Sequence, residues 1–482
     1  MEIKGGNTLL ISEIVWGDDS AERDPNLMRY FISNTALDRL KRFQKTIIVG
    51  RKGSGKSALR RKLVADFTAL NYAVVELTPS YNVIRNIVSD KDIANNYGEE
   101  IFFQYVWLRH LIQAALVEIG HKSRGSLAKD SHEYARRIAI DQGTNKDLLE
   151  SFVDVLNRLK IKAGKLGEFG IQVENVLKEE CEINILEYHL KQLISEYNLV
   201  IIIDDLDLGW DNSLIANNML LGLMASANYL QALSNNIHVF ICIREDVYQM
   251  LLKQTQHSDK MRDTENLRWD TNGLSNLLSE RIRFNYLAKD IDPGIEPFLK
   301  VFPPTIGTSN IINWMIERTL KRPRELLQLC KQYTERNESS IPDADLLKQV
   351  ELTYSNWKLD DLCTEYRYQY PGLEIIFNCA KTKLYKQKYH LLRREIEEIL
   401  LSILIEAECE REWFTAIKDK TDIVSLLKIL WEIGFLGDFI KGGAGGSKII
   451  YSLSEPHDPQ FIEVQIHPCF RKAMGTVERI RS

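Results

Sequence analysis

GRKGSGKSAL, residues Gly50 to Leu59, follows directly on the apolar run Thr46-Ile47-Ile48-Val49. The stretch matches the phosphate-binding pattern G-x-x-x-x-G-K-[ST] at Gly50, Gly55, Lys56 and Ser57. Phosphate oxygens need a row of backbone N–H groups, and glycine lets the backbone come close and take positive φ. The β-branched run before the loop reads as a short buried strand. The stretch after it, Ser57 to Leu70, has apolar residues at helical intervals (Leu59, Leu63, Phe67, Leu70), so a helix would aim its positive dipole end at the anion. The residues expected around the phosphates are Gly50, Gly53, Ser54, Gly55, Lys56, Ser57 and Ala58. Lys56 would reach the terminal phosphates and the Ser57 hydroxyl would ligate Mg²⁺.

A metal held there needs a carboxylate on a neighbouring strand. Residues 199–207, LVIIIDDLD, supply five apolar residues and then Asp204, Asp205 and Asp207. Asp204, at the strand end, is the candidate for the Mg²⁺ shell. Asp205 is the candidate to polarise an attacking water, with Asp207 the alternative at a spacing that permits either. A further strand ends in ICIRED, placing Arg244 where it could read a γ-phosphate or pair with Glu245 or Asp246. Later, KRPRELL sets Arg322 and Arg324 around a proline that can begin a helix. Arginine at a helix N-terminus is unfavourable unless an anion sits there, which makes Arg324 a second phosphate-contact candidate.

The 482 residues are 44% hydrophobic and 27% charged, a globular balance, and the net charge of −5 gives no global pull toward nucleic acid. The apolar runs fall short of the roughly 20 residues that cross a bilayer. The N-terminus lacks a signal-peptide layout and the seven cysteines include no CxxC pair, so the cytoplasm is the expected address and no membrane is expected as a partner. Strands near 46–50, 72–79, 198–204 and 236–244 alternating with helices predict an α/β fold with a parallel sheet. The expected organisation is a helical lead-in over 1–44, a core over 45–285 with a helical insertion at about 97–195, a helical lid over 286–370, and a tail over 371–482. The tail's helices, followed by two β-compatible runs joined by GGAGG, look like a winged helix.

Together, IIVGRKGSGKSAL, IIIDDLDLGW, VFICIREDVYQML and RPRELL resemble the additional-strand P-loop class, in particular AAA+-like and STAND-like ATPases of bacteria. The upstream IVWGDDSAERD and the segment DTENLRWDTNGLSNLLSERIR fit the same layout. The resemblance is to the origin-recognition and KAP-related branches, often encoded near phage-defence genes. It implies ATP and Mg²⁺ as cofactors, Arg244 as the first sensor and Arg324 as the second, Lys56 and Asp205 in hydrolysis, a homo-oligomer, and a separate effector protein as partner. The implied activity is a slowly hydrolysing switch, because Asp204-Asp205 stands where many AAA+ ATPases have Asp-Glu. A DNA-binding loader and a nucleotide-locked scaffold without turnover are the alternatives. Arg262, Arg268, Arg281 and Arg283 are equal candidates for an arginine finger.

Other signals carry less. The nine histidines show no metal-binding spacing and no G-x-S-x-G elbow is present. The basic run KTKLYKQKYHLLRRE, 381–395, reads as a solvated helix face that could touch nucleic acid. Trp107 is expected in the core of the helical insertion.

Overall fold

Runs of β-branched residues bounded by polar turns become strands wherever both faces can be covered. In the computed structural model, which describes residues 9–78, 100–123, 129–142, 182–206, 210–254, 263–442, 446–452 and 457–477, four such runs and one short polar segment form an all-parallel sheet. They are β1 (Ile47–Gly50), β2 (Ala73–Leu77), β3 (Leu199–Ile203), β4 (Ile237–Arg244) and β5 (Thr264–Asn266), in the order β2-β3-β4-β1-β5. The protein is therefore α/β with a five-stranded parallel sheet. Every residue of β1 and β3 is buried, as expected of strands covered on both faces. The polar strand β5 was not expected. Its middle residue, Glu265, is buried and forms a two-pronged pair with Arg39, at 2.6 and 2.7 Å.

The helices of this sheet unit are α1 (Thr35–Lys41), α2 (Lys56–Ala69), α3 (Glu100–Lys122), α4 (Lys129–Gln142), α5 (Ile183–Leu193), α6 (Leu214–Leu233) and α7 (Glu245–Gln254). The expected helical lead-in is, among the described residues, three 3-10 turns at Ile11–Glu13, Ala21–Arg23 and Leu27–Arg29 followed by α1. Asn34 starts α1 by accepting a hydrogen bond from the Leu37 N–H at 2.9 Å. Helix α3 is buried on nearly all sides, the mark of a helix inside a core rather than on its surface. Its Trp107 is 1% exposed and donates its indole N–H to the Met219 carbonyl at 3.1 Å. Three expected stripe residues of α2 (Leu59, Leu63, Phe67) are buried, whereas Leu70 lies past the helix end and is 61% exposed.

A second, helical unit comprises Met1–Asp19, Asn26–Ile32 and Arg268–Ser482. It contains α8 (Thr271–Leu287), β6 (Thr305–Ile306), β7 (Ser309–Asn310), α9 (Ile311–Glu317), α10 (Pro323–Thr334), α11 (Ala344–Glu365), α12 (Leu373–Leu384), β8 (His390–Leu392), α13 (Arg393–Glu406), α14 (Glu412–Lys420), α15 (Ile423–Glu432), β9 (Leu436–Ile440), β10 (Lys448–Ile450), β11 (Glu463–Ile466) and α16 (Pro468–Arg471). The division falls between Leu267 and Arg268, so α8 belongs to this unit rather than to the sheet unit. One apolar core runs from Leu274 through Phe302 and Tyr354 to Phe470, joining the expected lid and tail into one body. Ser355 on α11 reinforces the junction, donating to the Cys469 carbonyl at 2.6 Å and accepting from the Ala473 N–H at 2.9 Å.

The expected terminal hairpin is present: β9 and β10 pair antiparallel with Lys448 opposite Ile440. Two short strands not expected from the sequence complete a four-stranded sheet, β10-β9-β11-β8. The basic run 381–395 is not a single helix face. It passes from the end of α12 through β8 into α13, and Lys383, Arg393 and Arg394 pair with Glu406, Glu397 and Glu398.

Buried charge also ties α10 to α11. Lys358, fully buried, lies 2.9 Å from Glu325 Oε1 and 3.0 Å from Asp361 Oδ2. Arg322, 2% exposed, donates to Glu365 Oε2 at 2.7 Å and approaches Glu325 Oε1 at 3.4 Å. Burial works against both positive charges, and the surrounding carboxylates overcome it, holding Lys358 above its ordinary range. Removing one member leaves the others buried and unpaired. Lys358→Met is therefore expected to cost about 3–5 kcal/mol in urea denaturation, and Lys358→Met with Glu325→Gln clearly less than the sum of the single changes. A loss below about 1 kcal/mol for the single variant would show that the cluster adds little to stability.

Candidate functional site

The loop Gly50–Gly55 connects the C-terminal end of β1 to the N-terminus of α2. Gly53 and Gly55 adopt positive φ, 79° and 97°, where a side chain would be strained. At Gly50 a Cβ would come within 2.5 Å of Ser54 Oγ and 3.3 Å of Lys56 Cγ, so the Ser54 side chain would have to shift. Lys56 opens α2 and donates its ammonium to the Gly50 carbonyl at 2.8 Å and the Arg51 carbonyl at 3.3 Å. The loop is also held by Arg51, whose Nε lies 3.5 Å from Glu245 Oε2 at the start of α7.

At the neighbouring acidic strand end, Asp204 is 1% exposed and its backbone N–H donates to the Leu77 carbonyl at 3.0 Å. Its carboxylate faces the Ser57 hydroxyl and the Asp205 backbone N–H and lies in the field of Lys56 and Arg60. Burial pushes the Asp204 carboxyl above the usual carboxylate range, against the pull of those four groups. A buried carboxylate that faces a lysine and a helix-start hydroxyl has the chemistry of a divalent-cation ligand shared with a phosphate. Among the described residues, no cluster of three or more His, Cys, Asp or Glu side chains could hold a metal without such help. The loop and Asp204 therefore suit a metal–phosphate group, with Ser57 and Asp204 on the metal and the loop N–H groups and Lys56 on the anion.

Asp205, half-buried, sits at φ 59°, a left-handed conformation that aspartate tolerates better than most residues. Asp207 lies outside the described residues. Arg244 is level with Gly50 on the adjacent strand. It is engaged by Asp246, donating from Nε at 3.0 Å and from Nη2 at 2.6 Å. Arg244 is thus held by the start of its own following helix.

Arg324 belongs to the helical unit, 4.0 Å from Asp361 and partly exposed. The electrostatic conflict expected at the N-terminus of α10 is relieved from within, because Arg322 at the cap is surrounded by Glu365 and Glu325. Of the arginine-finger candidates, Arg281 donates to the Trp16 carbonyl and lies over the Tyr30 ring at 4.3 Å, and Arg283 pairs with Glu280 at 3.2 Å. Arg262 lies outside the described residues.

Sequence reading missed Arg60. It is 3% exposed and lies 3.2 Å from Asp204 Oδ2 through Nε, 2.6 Å from Glu22 Oε1 through Nη2, and against Glu76 through Nη1. Its signal was available: Arg60, Leu63 and Phe67 share the buried face of α2, so a charge occupies a core-facing position.

Two comparisons bear on this chain. Residues 272–363 match a family model described as the FunZ-associated C-terminal helical domain, which covers α8 to α11. The chain is also similar to an Escherichia coli (strain K12) protein named for transposon gamma-delta and a mass of 80.3 kDa. The two are 22% identical over 456 residues, which is 88% of this chain and 61% of that protein, so the chain spans about three fifths of the curated relative it matches. No helix among the described residues is long and apolar enough to cross a membrane.

Proposed function

We propose that this protein is a P-loop ATPase of the additional-strand class that works as a slow, Mg²⁺-dependent switch. One observation carries the reading: the glycine loop between β1 and α2, with Lys56 and Ser57 at its end, faces a buried carboxylate at the end of β3. Strand β4, interposed between β1 and β3, supports the class, and Arg244 at its tip supports a role in reading the γ-phosphate. The ATP phosphates would lie along the N–H groups of Gly53 to Ala58, with Lys56 turning from the loop carbonyls to the anion. Asp205 would orient the attacking water. Its shorter reach compared with glutamate, and the left-handed backbone it occupies, favour slow turnover. Arg324 would act as the second sensor.

The helices α13 to α15 and the β9–β10 hairpin support a winged-helix tail, and the resemblance set out above supports a role with a separate effector in phage defence. ATP binding would then change self-assembly or partner engagement. A DNA-binding reading is second. The relative named for a transposon and the hairpin carrying Lys441 and Lys448 favour it.

ATP turnover and particle size distribution, compared between wild type and Lys56→Ala, test the leading reading. Wild type is expected to turn over slowly and change size with ATP, and Lys56→Ala to lose at least about 100-fold in activity; indistinguishable behaviour rejects it. Asp205→Ala should keep ATP binding and lose turnover.

Asp204 gives a prediction of opposite sign for stability and function. Its raised carboxyl means that the folded state disfavours the ionised form, so stability falls as pH rises through the raised value. Asp204→Asn is therefore expected to match or exceed wild type in Tm at neutral pH without nucleotide, while losing its response to Mg²⁺. A clear drop in Tm would show that Asp204 stabilises the fold. For the second reading, fluorescence anisotropy should detect DNA binding that weakens with salt and is lost in Lys441→Glu with Lys448→Glu.

A further inference from the structure

Arg60 stands where three acidic groups from three parts of the chain converge: Asp204 after β3, Glu76 on β2, and Glu22 in the segment Ser20–Pro25. A guanidinium is suited to this, since its planar fork carries five donors and never gives up its charge. Burial works against the charge, and Glu76, Asp204 and Glu22 together more than compensate. The next residue repeats the attachment. Arg61 donates through Nη1 to the Asp24 carbonyl at 3.0 Å and to the Ala21 carbonyl. Residues 20–25, with a 3-10 turn at Ala21–Arg23, are strapped across α2 by two consecutive arginines.

We propose that Arg60 is a positioning residue for the metal-bound nucleotide, holding Asp204 at one end and reporting metal occupancy to residues 20–25 at the other. The inference rests on the nucleotide reading of the Gly50–Ser57 loop. One positive group here serves three negative ones. A divalent cation bound to Asp204 shares its charge with Arg60 without displacing it, so more of the guanidinium's attraction falls on Glu76 and Glu22. The strap is thereby tightened when metal and nucleotide are both present. Removal of Arg60 leaves Asp204 without the group that orients it. The metal requirement should suffer while the contacts of the loop with phosphate do not.

Hydrogen exchange at the amides of residues 20–25, measured on the full chain with ATP plus EDTA and with ATP plus Mg²⁺, reads the far end. In wild type, Mg²⁺ is expected to slow this exchange at least about threefold. In Arg60→Gln, ATP binding in EDTA stays within about twofold of wild type. The Mg²⁺ concentration for half-saturation rises about 10- to 100-fold, and the exchange response disappears. Glu22→Gln, at a partly exposed position, separates the two ends: its Mg²⁺ requirement stays within about twofold of wild type and its exchange response is lost. Arg60→Lys serves the same test if the glutamine variant fails to fold, with an intermediate Mg²⁺ requirement expected.

The proposal is overturned if wild type binds Mg²⁺ and ATP with no change at residues 20–25. It is equally overturned if an Arg60 variant keeps both the wild-type metal requirement and the response, or if Glu22→Gln keeps the response. Wild type that binds no ATP in either condition rejects the nucleotide reading itself, and this proposal with it.

Discussion

The site depends on keeping one carboxylate, Asp204, in a place that water does not reach. An isolated buried carboxylate would give up its charge rather than pay the desolvation cost. Here burial still outweighs four groups that favour the charge: a lysine at the end of the glycine loop, a hydroxyl from the start of α2, a backbone N–H one residue on, and an arginine one turn further along α2. Three of these four come from a single stretch, Lys56 to Arg60. The packing of α2 on the sheet through Leu59, Leu63 and Phe67 therefore also fixes the electrostatics. Any shift of that helix would move the lysine, the hydroxyl and the arginine together.

The two units bury charge in different ways. In the sheet unit the acid is in excess by one: Arg60 and Lys56 face Asp204, and Arg60 also meets Glu22 and Glu76, both partly exposed. In the helical unit Arg322 and Lys358 are met by Glu325, Asp361 and Glu365, and Arg324 stands by as a third positive group. That set is balanced and joins two helices. Buried ionic groups are costly in both places, but only the first has a polarity that an incoming ligand would correct.

Much of this architecture was legible because its signals are local. The glycine loop, the four apolar strands and the terminal hairpin each announce themselves within a dozen residues through periodicity and turn chemistry. What escaped is what depends on a distant partner. Strand β5 is Thr-Glu-Asn, with no apolar run to mark it, and it exists because β1 offers an edge and Arg39 neutralises its glutamate. Strands β8 and β11 are set by pairing across more than seventy positions, Gln465 with His390. Arg244 was legible as either a ligand contact or a local ion pair, and its bidentate grip on Asp246 is the local pair. The arginines at the start of α10 suggest an anion there; the anions beside Arg322 are Glu325 and Glu365, one of them on another helix.

The order of the sheet also governs the order of assembly on the ribosome. Strand β1 pairs with no strand near it in sequence: Ile47 lies beside Ile241 on one side and Thr264 on the other. The loop that follows β1 is made early, but the neighbours that seat it emerge roughly 200 residues later, which at about 5–20 residues per second is on the order of ten to forty seconds of synthesis. Through that interval the Ile47–Val49 run is an apolar strand with both edges open, the kind of species that chaperones intercept. Completion of β4 and β5 is thus the moment at which the nascent chain first acquires a formed cradle.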